Sequence, residues 1–268
     1  MKRIIFTLLY SSGQFVLSRN FRTQNIGNID WILKNYNLSE VTKGLDEILI
    51  LDVSRENKNF DKFCEIVKVI SSNCFIPVSA GGGISNINQA ETLFKSGADK
   101  VFLNSLYFKK IEECFKISKI FGNQSIIGGI DFKKINNQNY IFKDYGKYQT
   151  NLNINEWVNF LQENGAGEIL LQSIDRDGTA SGLELDKELL SKFNEVSCPI
   201  ILMGGVGKID HFLDAFKNDK IEAIATANLL NFIGDTFLKL RKNLLINKVE
   251  VVDWGENDIR KFKNQFND

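Results

Sequence analysis

GAGEILLQSI, residues 165–174, and GLDEILI, residues 44–50, are the two stretches from which the fold can be read. Each places an acidic residue before an unbroken run of Ile and Leu. A run that is apolar on both faces suits a strand covered on both sides, as in parallel sheets. A shift of 121 residues carries GLDEILI onto GAGEILL at 165–171. A shift of 122 carries Pro77 onto Pro199, the only two prolines of the chain, and Gly82-Gly83 onto Gly204-Gly205. The same shift carries RIIFTLLYS (3–11) onto SIIGGIDFK (125–133). This agreement implies two similar halves, about 1–122 and 123–240. A charged tail, 241–268, is expected to close the structure as a final helix.

Outward from these two stretches, eight apolar runs are expected to be strands. They are RIIFTLL (3–9), EILILDV (47–53), PVSAG (77–81), KVFLN (100–104), SIIGGID (125–131), EILLQSI (168–174), PIILMGG (199–205) and EAIATAN (222–228). Amphipathic stretches such as NINQAETLFKSG (86–97) and INEWVNFLQENG (154–165) lie between them, with apolar residues at helical spacing. Strand–helix alternation gives a parallel sheet. Eight units with no linker imply one domain over 1–268, a (β/α)8 TIM barrel, with a doubly wound open sheet as the alternative.

Composition narrows the function. Lys plus Arg and Asp plus Glu both number 33, so no basic excess points to nucleic acid or an anionic membrane. Cys64, Cys74, Cys114 and Cys198 are scattered, without metal-ligand spacing, and are expected to be reduced, buried thiols. The opening MKRIIFTLLYSSGQF lacks a cleavage site and is too short to span a bilayer. A cytoplasmic enzyme without metal or cofactor is the expectation.

Two glycine turns mark the candidate site. Gly81-Gly82-Gly83 and Gly204-Gly205 follow the third and seventh strands, and Asn104-Ser105 and Ala227-Asn228 end the fourth and eighth. In a barrel these loops sit at the C-terminal face, where active sites lie. Glycine lets the backbone N–H groups approach an anion, and a following helix N-terminus favours one. A ligand with an anionic group at each end is implied. GGVGKID (204–210) is not a P-loop, because Ile209 stands where Ser or Thr is required.

KRII, EILILDV, PVSAGGGI, SGADKVFLNS and, above all, GAGEILLQSIDRDGT resemble HisF, the cyclase subunit of imidazole glycerol phosphate synthase. The resemblance runs from Lys2 to about Asn231. It implies a lyase-type synthase subunit that receives ammonia through the barrel from a HisH-like glutaminase in a heterodimer. It also implies phosphate sites at Gly82, Gly83, Asn104 and Ser105 and at Gly204, Gly205, Ala227 and Asn228. Arg3, Glu47, Lys100 and Glu168 each open a strand and should converge at the barrel floor. In the resemblance they are the ammonia gate, and Asp99 docks the glutaminase.

The upper face departs from the family. Asp131 matches the catalytic general acid, but the half-barrel shift puts the partner carboxylate at position 9, which is Leu9. Leu17, Gln172 and Met203 replace a lysine, a threonine and a serine of the family. Leu9 within TLLY (7–10) is similar to a HisF-like branch. That branch works with a glutaminase and a sugar amidotransferase in making acetamidino sugars for surface polysaccharides. SRNF (18–21) then leads into a loop of about 20 residues before the second strand, where Trp31, Ile32 and Leu33 pack a first helix. Asp177 is expected to position substrate, Asp52 to cap a turn or face the mouth, and His211 to be structural. Delivery of ammonia to a sugar substrate is preferred. The alternatives are a histidine-pathway cyclase and a non-catalytic activator of the glutaminase. A sugar-phosphate isomerase needs two carboxylates at the mouth, against which Leu9 argues.

Overall fold

The computed structural model describes residues 1–36, 38–191, 193, 196–227 and 236–252. Its strands are β1 (Arg3–Ser11), β2 (Gln14–Arg19), β3 (Arg22–Gly27), β4 (Glu47–Asp52), β5 (Val78–Gly81), β6 (Lys100–Leu103), β7 (Ile126–Ile135), β8 (Gln138–Lys143), β9 (Tyr148–Gln149), β10 (Glu168–Ser173), β11 (Ile200–Met203) and β12 (Ile221–Thr226). Its helices are α1 (Ile29–Tyr36), α2 (Leu38–Val41), α3 (Phe60–Ser71), α4 (Ile87–Lys95), α5 (Ser105–Lys109), α6 (Ile111–Phe121), α7 (Ile154–Glu163), α8 (Lys187–Ser191), α9 (Ile209–Phe216) and α10 (Thr236–Ile246).

Eight of the strands pair in parallel in the order β10-β11-β12-β1-β4-β5-β6-β7, and β7 returns to β10. The sheet therefore closes, and all eight runs expected as strands lie in the barrel wall. Closure removes the exposed edges that an open sheet would have to protect. The alternative of an open sheet is excluded by the β7–β10 ladder, which runs from Glu168↔Ile127 to Ser173↔Phe132.

The wall separates two cores. Outside it, the helices bury one apolar stripe each; α3 contributes Phe63, Cys64, Ile66, Val67 and Ile70. Asn59 caps α3 by accepting from the N–H of Lys62, and Asn86 and Asn153 cap α4 and α7 in the same way. Such a cap is worth about 1 kcal/mol. Inside the wall, Ile5, Leu49, Phe102, Ile127, Leu170 and Ile201 form a second cluster on the axis. Alternate residues of each strand point inward. Lys100, Phe102 and Asn104 thus climb the axis from floor to mouth.

Two insertions were not foreseen as strands. Beyond the rim β1 folds back antiparallel onto β2, and β2 onto β3. SRNF thus forms the turn of a β2–β3 hairpin, and the expected long loop after it is β3 followed by α1. β7 likewise runs past Asp131 and turns back onto β8 and β9. Ser12-Gly13, Asn20-Phe21 and Asn136-Asn137 take positive φ at both turn positions. That is the mirror-image turn whose twist matches two-residue hairpins.

Three further expectations need correction. The last helix among the described residues, Thr236–Ile246, covers only the first part of the expected tail and includes residues before Arg241; residues 253–268 lie outside the described residues. Arg241 is itself buried, ion-paired with Asp46 at 2.9 Å and donating to the Gly44 carbonyl, so it ties α10 to the loop before β4. Cys64 and Cys114 are buried, but Cys74 and Cys198 are only half-buried, because they lie in the loops that lead into β5 and β11. In α1, Ile32 is fully buried, while Trp31 keeps 37% of its surface exposed and packs edge-on against Tyr36, because the short helix turns only one face inward.

Candidate active site

At the barrel floor the four strand-opening charges meet in an alternating ring. Arg3 reaches Glu47 at 3.1 Å and Glu168 at 2.9 Å, and Lys100 reaches Glu47 at 3.0 Å and Glu168 at 2.9 Å. Ser79 adds a hydrogen bond to Glu47. Burial opposes ionisation of Glu168, but Arg3 and Lys100 outweigh it and hold its carboxyl below the ordinary range. Each charge thus satisfies two neighbours, which a partly buried ion needs to offset its lost hydration. Asp99 is exposed beside this floor, and its carboxylate accepts from the Val78 N–H at 2.8 Å.

At the opposite end a cavity opens over the axis. Its walls include Leu9, Asp52, Gly82, Gly83, Asn104, Ser105, Asp131, Gln172, Asp177 and Met203. The first phosphate-site group therefore shares one cavity with both candidate carboxylates. Gly204, Gly205 and Ala227 do not line it, and Asn228 lies outside the described residues. Leu17 is not part of its wall either.

The two glycine turns share one backbone reason. Gly82 has φ +111° and a Cβ there would collide with the Asp52 carbonyl; Gly204 has φ +101° and a Cβ there would lie 2.6 Å from the Ser173 carbonyl. In each half the turn folds flat against the end of the preceding barrel strand, which only glycine permits.

Asp131 stands inward on β7, where the strand leaves the barrel. Asn104 donates to its Oδ2 at 3.0 Å. Burial pushes its carboxyl up to about 7, the Asn104 bond opposes that shift, and the negative charge of Asp177 adds to it. A carboxyl that titrates near neutrality can both give and take a proton at physiological pH. Asp177 is held by the Ser18 hydroxyl at 2.5 Å and the Phe21 N–H at 3.0 Å, and burial raises its carboxyl despite both bonds. These partners come from the β2–β3 hairpin, so the insertion fixes one carboxylate of the mouth.

Leu9 stands where the half-barrel shift placed it. It pairs with Leu51 on β4 and Val16 on β2, as Asp131 pairs with Gln172 on β10 and Phe142 on β8. It is 6% exposed, and together with Leu51 and Met203 it makes that wall of the mouth apolar. Asp52 lines the cavity, but its carboxylate caps its own turn, accepting from the Ser54 N–H at 2.9 Å and hydroxyl at 2.5 Å. His211 accepts from the Gly207 N–H at 3.1 Å and so fastens the turn that leads into α9.

Several cavity residues escaped the sequence reading: Ser18, Phe21, Arg55, Lys58, Asp144 and Tyr145. The Asn-Asn pair at 136–137, flanked by apolar runs, was a hairpin signal that could have pointed to the second insertion.

Comparison with known proteins agrees with this architecture. The profile of the histidine biosynthesis protein family matches residues 3–234. A protein of Parasynechococcus marenigrum named "putative imidazole glycerol phosphate synthase subunit hisF2" is 44% identical, with 87% of each chain covered. The imidazole glycerol phosphate synthase subunits HisF of Campylobacter concisus and Flavobacterium johnsoniae are 36% and 35% identical, with 93% of this chain and 97% and 98% of theirs covered. This chain belongs to the histidine biosynthesis protein family, as a member of its HisF group.

Proposed function

We propose that this chain is the synthase subunit of a glutamine-dependent complex, taking ammonia at the floor ring and using it at the mouth. A HisH-like glutaminase is the partner. The observation that carries the reading is the column of uncharged side chains between the ring and Asp131: Ile5, Leu49, Phe102 and Leu170 line it. Such an axis suits neutral ammonia and disfavours ammonium, because burying an unpaired charge costs several kcal/mol. Opening one bridge of the ring would admit the molecule.

The chemistry at the mouth is a rebuilt version of the family's. With Leu9 in place of a carboxylate, one wall cannot accept a proton. The reading favoured is ammonia delivery to a sugar substrate, in the making of acetamidino sugars for surface polysaccharides with a sugar amidotransferase. A histidine-pathway cyclase is the second reading, favoured by one observation. Asp177 is close enough to raise the Asp131 carboxyl, so two carboxylates do share the cavity.

The test is pairing. The chain mixed with a HisH-like glutaminase should form a one-to-one complex and raise glutamine hydrolysis. Asp99→Arg should weaken the complex by an amount worth several kcal/mol if its acidic face meets the partner. Asp99→Asn serves as the control for the bond to Val78. Wild-type protein that neither binds the glutaminase nor stimulates it would sink the proposal.

A further inference from the structure

The two insertions follow one plan. A shift of 124 residues carries the Ser12-Gly13 turn onto Asn136-Asn137 and Asn20-Phe21 onto Asp144-Tyr145. In each of the latter pairs φ is +50° and then +61°. Positive φ favours glycine, and a bulky side chain there is strained. Both tips nevertheless carry an aromatic ring at that position, and both Phe21 and Tyr145 stand in the wall of the mouth cavity. Strain of this kind persists where neighbours fix the residue, and it points to a use for the tip.

The tips cross to opposite halves of the barrel. The Asn20-Phe21 tip lands on the loop after β10, in the second half. There the Asn20 N–H donates to the Asp177 carbonyl at 2.9 Å, and its side-chain amide donates to the Ile174 and Asp175 carbonyls at 3.1 and 2.9 Å. The Tyr145 tip lands on the loop after β4, in the first half. Its hydroxyl donates to the Ser54 carbonyl at 2.8 Å, and Arg55 and Lys58 rest on its ring, 5.7 and 5.9 Å from the centroid. Arg55 joins the two tips, because its Nη2 donates to the Phe21 carbonyl at 2.6 Å. Beside Tyr145, a Cβ on Gly146 would lie 3.1 Å from the Phe21 ring, so the tips also touch.

Asp177 ends this chain of contacts. It is 5% exposed, and among the described residues no cation pairs with it. Both hydrogen bonds to its carboxylate, from the Ser18 hydroxyl and the Phe21 N–H, come from the crossed hairpin.

We propose that Tyr145 and Arg55 are positioning residues: they hold the Phe21 turn, and the turn holds the Asp177 carboxylate at the mouth. The inference rests on the reading of the mouth as the reaction site, and it adds how the second carboxylate there is aimed. The face of the Tyr145 ring attracts the guanidinium and keeps it in place. The guanidinium then gives the Phe21 carbonyl a hydrogen bond from a charged donor, stronger than a neutral one. With either residue gone, the strain at Phe21 draws the turn away from Asp177.

The test is nuclear magnetic resonance of the purified chain across pH. The Asp177 carboxyl titrates above the ordinary aspartate range. The Phe21 amide proton, bonded to it, should shift in step with that titration, and Asp177→Asn should abolish the response. Arg55→Ala and Tyr145→Ala should each remove most of it. They should also speed hydrogen exchange at Phe21 about tenfold, the size of one charged hydrogen bond. Arg55→Lys and Tyr145→Phe should retain the larger part, because the cation and the ring face remain. Thermal unfolding checks that each variant is folded, which is expected because both side chains are exposed. A wild-type Phe21 amide that ignores Asp177, or one that follows it equally in both alanine variants, would overturn the assignment. The same proteins mixed with a HisH-like glutaminase separate this inference from the ammonia reading. Pairing kept while the Phe21 response is lost supports the positioning role. Pairing absent in the wild type, with the response still dependent on Arg55 and Tyr145, overturns the ammonia reading and leaves this one standing.

Discussion

The two halves of the barrel carry the same backbone and different chemistry. In each, the first strand leaves the rim, turns back as a hairpin and presents one inward residue at the mouth. In the second half that residue is Asp131, which titrates near neutrality; in the first it is Leu9, which cannot titrate. The glycine turns divide the other way. Beside the first, Arg55 and Lys58 donate to the backbone carbonyls of Phe21 and Asp52; beside the second, Arg176 is ion-paired with Glu184 at 3.0 Å. The repeat supplies positions, and single side chains set the polarity and charge at each.

The largest effect should appear in turnover. Given ammonium salt and the histidine-pathway bisphosphate, the wild type should be at least about 100-fold slower than family members with both carboxylates. Leu9→Asp should recover part of that loss, while Asp131→Asn should remove the residual rate. Ordinary turnover near 10 s⁻¹ by the wild type would break the comparison. It would assign the missing base to Asp177.

Stability should treat the halves alike where the backbone is shared. Gly82→Ala and Gly204→Ala each force a positive φ on a side chain that meets a strand carbonyl. Each should cost about 3 kcal/mol in urea unfolding. A loss at one turn and none at the other would show that the two turns are not equivalent.

The floor ring should give a smaller effect. Glu168→Gln leaves Arg3 and Lys100 with Glu47 as their only ring carboxylate, at a cost of about 2 kcal/mol at neutral pH. The Glu168 carboxyl is depressed in the folded state, so its contribution is present above the ordinary glutamate range and fades as pH falls through the folded value. Unfolding of wild type and variant should converge in acid. A constant difference across pH would show that the loss is one of packing.

The smallest effect sharpens the contrast between Leu9 and Asp131. A carboxyl raised to about 7 favours the folded state below its ordinary range relative to higher pH, and that advantage is lost as pH rises through 7. Asp131→Asn should therefore stabilise the chain at pH 8 by about 1–2 kcal/mol, and the gain should vanish toward pH 4. That corresponds to a rise in Tm of a few degrees. An equal gain at both pH values would remove the link to Asp131 ionisation.

Much of this molecule could be read from its residues in order. Strands covered on both faces must be apolar throughout, so the eight runs stood out. Arg3, Glu47, Lys100 and Glu168 each open a strand, so they could be placed at one end, and the half-barrel shift put Leu9 opposite Asp131. The glycines announced turns that no other residue could make. What remained hidden depends on where distant segments come to rest. Ser18 holds Asp177 across 159 residues, and Tyr145 gathers Arg55 and Lys58 from about 90 residues away. Nothing in the local pattern of any of these residues encodes the meeting. Hairpin twist and barrel closure bring them over one mouth, and neither is encoded in a local stretch of sequence.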